Sequence, residues 1–254
     1  MTVDTAVKKR SSQPRLSGGF AADIVAAAVR APRSAADGVG LVVTPSLNHI
    51  AMSQRSSALA CAYSNAERIV CGGWPVHLYA RFCGLRLGRA TGAEIASELM
   101  RIAPDPAWQR LFFVVDGAVT ERALRAWADR HGVADRCAIT VAPFGFEKDA
   151  AYSERLACMI AAYSTSVLIL AVCTPWSEIF VDTHRALLPP CWAFCVGQAV
   201  KLELGLVQPA PSRWRSTRIK RLWRVMHEPA CRSGRYGTTS IGFGITNIQS
   251  EFCG

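Results

Sequence analysis

Short apolar runs closed by glycine, proline or aspartate alternate along this chain with longer stretches whose apolar positions recur at helical spacing. The pattern predicts strands at Gly40–Thr44, Ile69–Cys71, Leu111–Val115, Cys137–Val141, Val167–Val172 and Cys191–Val196. Helices are expected at Phe20–Ala31, Leu47–Ser64, from Trp74-Pro75 onward, from Thr91, at Thr120–Arg130, at Ala151–Tyr163 and at Pro175–Leu188. Thr91 reads as an N-cap with Glu94 as its capping-box partner, and Pro143–Lys148 reads as a loop. Near-continuous hydrophobicity within the strands means burial on both faces. Alternation from Gly40 to Gly205 therefore predicts an α/β protein with one doubly wound, mostly parallel sheet.

In such a sheet, ligands sit in the crevice beyond the carboxyl ends of the strands. Attention falls on Glu67–Gly84, where Ile69, Val70 and Cys71 run into Gly72 and Gly73 before Trp74-Pro75 opens a helix. Two glycines let the backbone approach a ligand closely, and a proline suits the first helical turn. A plain loop accounts for the same residues equally well.

Half of the 254 residues are hydrophobic and 19% are charged, a profile that fits a packed globular protein. Ten cysteines lie mostly inside apolar runs with no C-x-x-C pair, so they read as reduced, cytosolic thiols. Cys191 and Cys195 do not have zinc-site spacing, and no metal or cofactor is expected. The region Cys158–Cys173 is interrupted by Ser164, Thr165 and Ser166, so no membrane span is expected. Lys8, Lys9 and Arg10 are followed by polar residues rather than by a signal-peptide core. A cytoplasmic protein follows.

The net charge of +10 is concentrated near the carboxyl end, where Ser212–Arg235 carries eight basic residues and one acid, Glu228. Within it, Trp214, Ile219, Leu222, Trp223 and Met226 gather on one helical face among Arg215, Arg218 and Arg221. That composition favours an anionic membrane surface over nucleic acid, since no nucleic-acid-binding motif occurs elsewhere. A solvated basic helix packed on its own domain is the third reading. The expected organisation is a disordered basic arm over 1–18, a catalytic-type domain over 19–205, and a basic docking appendage with its tail over 206–254.

Several motifs then fall into one order: V-V-T-P-S-L-N-H (Val42–His49), G-G-W-P-V (Gly72–Val76), R-A-T-G-A-E (Arg89–Glu94), T-P-W-S-E (Thr174–Glu178) and V-G-Q-A-V-K-L-E-L-G (Val196–Gly205). A basic aromatic stretch bounded by Ala210-Pro211 and Glu228-Pro229 follows them. Together they resemble the WecG/TagA/CpsF family of bacterial glycosyltransferases over about residues 20 to 229. The resemblance implies a Rossmann-like domain and a membrane-docking appendage. It also implies transfer of a sugar from a UDP-sugar to a polyprenyl-diphosphate-linked acceptor, with inversion and without metal, on the inner face of the cell membrane. By the same resemblance, Thr44 belongs to the catalytic region, and Ser46, Arg89, Thr91, Gly92, Gly117, Pro175, Glu178, Gly197 and Gln198 to the substrate-binding turns. Arg215, Arg218, Arg221, Trp223 and Arg224 would face the membrane or the diphosphate; Arg224 matches a family arginine.

The departures are as informative as the matches. The family turn P-D-G-W-P carries the proposed catalytic aspartate, and Gly72 stands in its place here. A glycine cannot take a proton. Ser46 replaces an asparagine, Trp176-Ser177 replaces Lys-Gln, and Lys201 replaces an aspartate after the last strand. Asp116, at a strand end where the family tends to have glycine, is the expected substitute base, although a turn aspartate before Gly117 explains it as well. Glu94 and Glu178 are further carboxylates, each also explained by a structural role. Two functions follow: an active, divergent glycosyltransferase of cell-surface or exopolysaccharide synthesis, or an inactive relative that binds nucleotide or acts as a scaffold in a polysaccharide-assembly complex. A homo-oligomer or an assembly partner fits either.

Overall fold

The computed structural model describes residues 15–16, 20–82, 89–105 and 110–207. Seven strands form one sheet among these residues: β1 (Arg15–Leu16), β2 (Gly40–Val43), β3 (Arg68–Ile69), β4 (Leu111–Val115), β5 (Cys137–Val141), β6 (Val167–Ala171) and β7 (Trp192–Cys195). Their spatial order is β1-β3-β2-β7-β6-β4-β5, and every pair is parallel. The helices between them are α1 (Ala21–Arg30), α2 (Leu47–Ser53), α3 (Ser57–Ser64), α4 (Trp74–Phe82), α5 (Gly92–Ile102), α6 (Ala118–Arg130), α7 (Ala150–Ala162), α8 (Trp176–Thr183) and α9 (Ala199–Glu203). This is the expected mixed α/β, Rossmann-like architecture.

Because side chains alternate across a strand, each strand feeds two cores. Leu111, Phe113 and Val115 of β4 pack with Val167, Ile169 and Phe194 beneath α1, α5, α6 and α9, where Ile24, Ile95, Leu99, Leu124, Trp127 and Val200 are buried. Phe112 and Val114 face the other way with Leu168, Leu170 and Ala193, beneath Leu156 and Ile160 of α7 and Phe180 and Val181 of α8. Both faces of the central strands are thus covered, which is why they read as unbroken apolar runs.

Three sequence expectations change. The single helix Leu47–Ser64 is two, because Ser56 takes an extended backbone and its hydroxyl accepts from Leu59 N at 3.3 Å, recapping the chain after Gln54-Arg55. The helix expected to Leu188 ends at Thr183. The arm 1–18 is not wholly outside the fold, since Arg15–Leu16 pairs beside Arg68–Ile69 at the sheet edge; the rest of the arm lies outside the described residues, as does the appendage from residue 208 onward. No helix among the described residues is long and apolar enough to cross a membrane.

Candidate active site

Parallel pairing throughout puts every strand's carboxyl end on one edge of the sheet, with the turns of Gly72, Thr44, Gly197, Pro175 and Asp116 following β3, β2, β7, β6 and β4 in that spatial order. β2 continues to β3 and β6 to β7 in one direction while β4 continues to β5 in the other, so the switch in direction falls between β6 and β4. A crevice at this place is where doubly wound sheets bind ligands. A bridge between Cys71 and Arg89 extends the edge and brings Arg89 beside the glycine turn.

On the β2 side, backbones meet closely. A Cβ added at Gly72 would fall against the carbonyl oxygen of Thr44 and within 2.8 Å of the carbonyl oxygen of Pro45, to which Gly72 N already donates at 3.2 Å. A Cβ at Gly92 would lie 3.3 Å from both Thr44 Oγ1 and the carbonyl oxygen of Val196. Thr44, Gly72, Gly92 and Val196 therefore share one tight junction. The aspartate that the resemblance would put at position 72 has no room there, because the Thr44-Pro45 backbone occupies the space any side chain would need. Placing aspartate there requires that backbone to move.

Helix α5 enters this junction with a complete capping box. Glu94 N donates to Thr91 Oγ1 at 3.2 Å, and Glu94 Oε2 accepts from Thr91 N at 2.7 Å. Glu94 thus has a structural task, while the guanidinium of Arg89, 45% exposed, faces its other oxygen at a loose 3.5 Å and remains open to the crevice. Ser46 takes the N-cap backbone of α2 without a capping bond from its side chain.

On the β6 side, Glu178 is buried and accepts from Thr174 Oγ1 at 2.9 Å and from Ser177 Oγ at 2.7 Å. Its neighbourhood is dry. Burial, then the Glu178 charge, pushes the thiol of Cys195 well above its ordinary range and the phenol of Tyr63 likewise. Such a buried carboxylate, bonded to Thr174 Oγ1, is placed to hold the turn at Thr174-Pro175. Gly197 adopts φ +58°, a left-handed conformation suited to glycine, and turns the chain so that Gln198 and α9 follow directly.

Asp116 is not a free carboxylate. Its Oδ2 accepts from Gln198 Nε2 at 2.7 Å and from Lys201 Nζ at 2.8 Å, and its Oδ1 faces Thr120 Oγ1 at 3.4 Å. Gln198 Nε2 also lies 3.7 Å from Cys173 Sγ. This network joins the turns after β4, β6 and β7. The carboxylate expected from the sequence as a base is thus held in an ion pair with Lys201.

Sequence reasoning noted Lys201 only as a departure and did not single out Tyr63 or His77. Tyr63 Oη and His77 Nδ1 are buried without hydrogen-bond partners among the described residues, and His77 sits one helical turn beyond Gly73. The one signal that pointed to Lys201 was its sign: the resemblance leads one to expect an acid there. Arg215, Arg218, Arg221, Trp223 and Arg224 lie outside the described residues.

A comparison of the chain with protein families matches residues 16–252 to the model described as Glycosyl transferase WecG/TagA/CpsF family. None of the curated proteins matches the chain.

Proposed function

The chain belongs to the WecG/TagA/CpsF family of glycosyltransferases, which indicates glycosyl transfer in polysaccharide synthesis, and we propose that it moves a sugar from a UDP-sugar to a lipid-diphosphate-linked acceptor with inversion at the anomeric carbon. In this reaction the acceptor oxygen forms the new bond to the anomeric carbon on the face opposite the donor diphosphate. The anomeric carbon–oxygen bond to UDP breaks, UDP leaves with the electron pair, and the acceptor proton passes to a base or to water. The observation that carries the reading is the junction of Thr44, Gly72, Gly92 and Val196 at the carboxyl edge of the sheet, after β3, β2 and β7, with the half-exposed Arg89 beside it. The Arg89 guanidinium supplies a cation that can stabilise the charge on the departing UDP.

Titration of the full chain with UDP should give saturable heat that Arg89→Ala reduces about tenfold or more, the scale of a lost charge-assisted hydrogen bond. Absence of binding at millimolar UDP would remove the nucleotide reading.

One observation favours a second reading, an inactive relative retained as a nucleotide-binding or scaffold protein. Gly72 offers neither a carboxylate nor room for one. A transferase lacking its general base usually loses about 100-fold to 10,000-fold in rate, so the enzyme reading expects slow but measurable transfer. Incubation with UDP-hexoses and a polyprenyl-diphosphate-linked sugar separates the two: UDP bound with no product over hours supports the scaffold.

A further inference from the structure

Asp116, after β4, and Lys201, in α9 after β7, meet in space at 2.8 Å. We infer that Asp116 and Lys201 form one charge-balanced clamp for the donor nucleotide, in which Asp116 Oδ1 accepts hydrogen bonds from the ribose hydroxyls while Lys201 cancels its charge toward the diphosphate. The inference rests on the UDP-sugar reading above and adds the residues that recognise the nucleoside part.

The geometry is specific about which oxygen does what. Oδ2 is occupied by the Lys201 ammonium and the Gln198 amide, both at ordinary charge-assisted distances. Oδ1 has only Thr120 Oγ1 at 3.4 Å among the described residues, too long for a strong O–H···O bond, so its acceptor capacity is largely unspent. An ionised carboxylate offers acceptors only, and a vicinal diol offers the donors. Asp116 and Lys201 side chains keep 24% and 23% of their exposure, so the pair reaches the crevice without being loose in solvent.

Charge explains why the two residues occur together. A lone carboxylate at an edge that must receive a diphosphate would repel it, and in this partly buried place water would screen the repulsion poorly. The lysine at 2.8 Å removes the net charge and leaves the oxygen free to read hydroxyls. The amide of Gln198 fixes the carboxylate's rotation, and Gly197, with φ +58°, places that amide.

Calorimetry on the full chain compares UDP with its 2′-deoxy counterpart, in the natural protein, Asp116→Asn and Lys201→Met, with thermal melts confirming that each variant is folded. The natural protein should prefer UDP by about tenfold, and Asp116→Asn should abolish that preference. Lys201→Met, which leaves an unpaired carboxylate, should weaken UDP more than it weakens uridine, with the gap narrowing as salt rises. Thermal destabilisation alone would lower affinity for UDP, deoxy-UDP and uridine alike and leave both ratios unchanged. A natural protein that binds UDP without discriminating the deoxy form overturns the clamp and leaves the UDP-sugar reading intact. So does Asp116→Asn that keeps UDP affinity and discrimination but cuts transfer by 100-fold or more, a result that would instead give Asp116 the base role. No UDP binding by the natural protein overturns the underlying reading itself.

Discussion

Gly72 shows how much a single atom decides at this site. A methyl group there meets the Thr44 and Pro45 carbonyls, so Gly72→Ala should cost about 1–3 kcal/mol, the range for overpacking against atoms that cannot turn aside, read as a lower midpoint in urea. Tyr63 makes the opposite case. Its buried hydroxyl lacks a partner among the described residues, so Tyr63→Phe should leave the fold unchanged or stabilise it by about 1 kcal/mol in the same measurement. Neither property is visible in the one-dimensional chain. The glycine was legible as a turn residue with a missing carboxylate, but the closeness of Thr44 depends on how β2 and β3 pair, and sequence spacing carries no such distance.

At the scale of elements, local chemistry was read more fully. The capping box of α5 was expected from Thr91 and Glu94 and is present with both bonds. Thr91→Ala should therefore destabilise the protein by about 1 kcal/mol, measured by thermal melting, and loosen the helix start that carries Gly92 against Thr44. Strand β4 matches its apolar run to the residue, because burial on both faces leaves a continuous signature, and the half-buried edge strand β5 also spans the residues expected. The break between α2 and α3 was missed because apolar spacing runs on across it while Ser56 takes over as a cap. The pairing of Arg15–Leu16 was missed for another reason: two residues are too short to show a period. Asp116 and Lys201 were each seen as unusual and never as neighbours, since only the insertion of β6 and β7 between β2 and β4 brings their turns together.

For the whole molecule, the buried thiols set an alkaline limit. Burial pushes Cys191 up to about 12 from an ordinary 9.0, against the opposing charge of Arg33. Burial pushes the half-buried Cys137 to about 12 as well, opposed by Arg125. Below the unfolded value both states hold the proton and nothing is lost. As pH rises from 9 towards 12 the unfolded chain ionises while the fold does not, so stability should fall, by about 1.4 kcal/mol per pH unit for Cys191. Urea unfolding between pH 8 and 10.5 measures it, and Cys191→Ala should flatten the slope whatever it does to the midpoint. The anionic membrane surface expected from the sequence is tested on the same intact chain: sedimentation with anionic vesicles should weaken when Arg215, Arg218, Arg221 and Arg224 become glutamine, with about 1 kcal/mol of attraction lost per residue. The tie from Asp116 to Lys201, finally, makes the two positions one unit: replacing either residue alone leaves the other's charge unpaired in a half-buried place, so a change at one is tolerated best when the other changes with it.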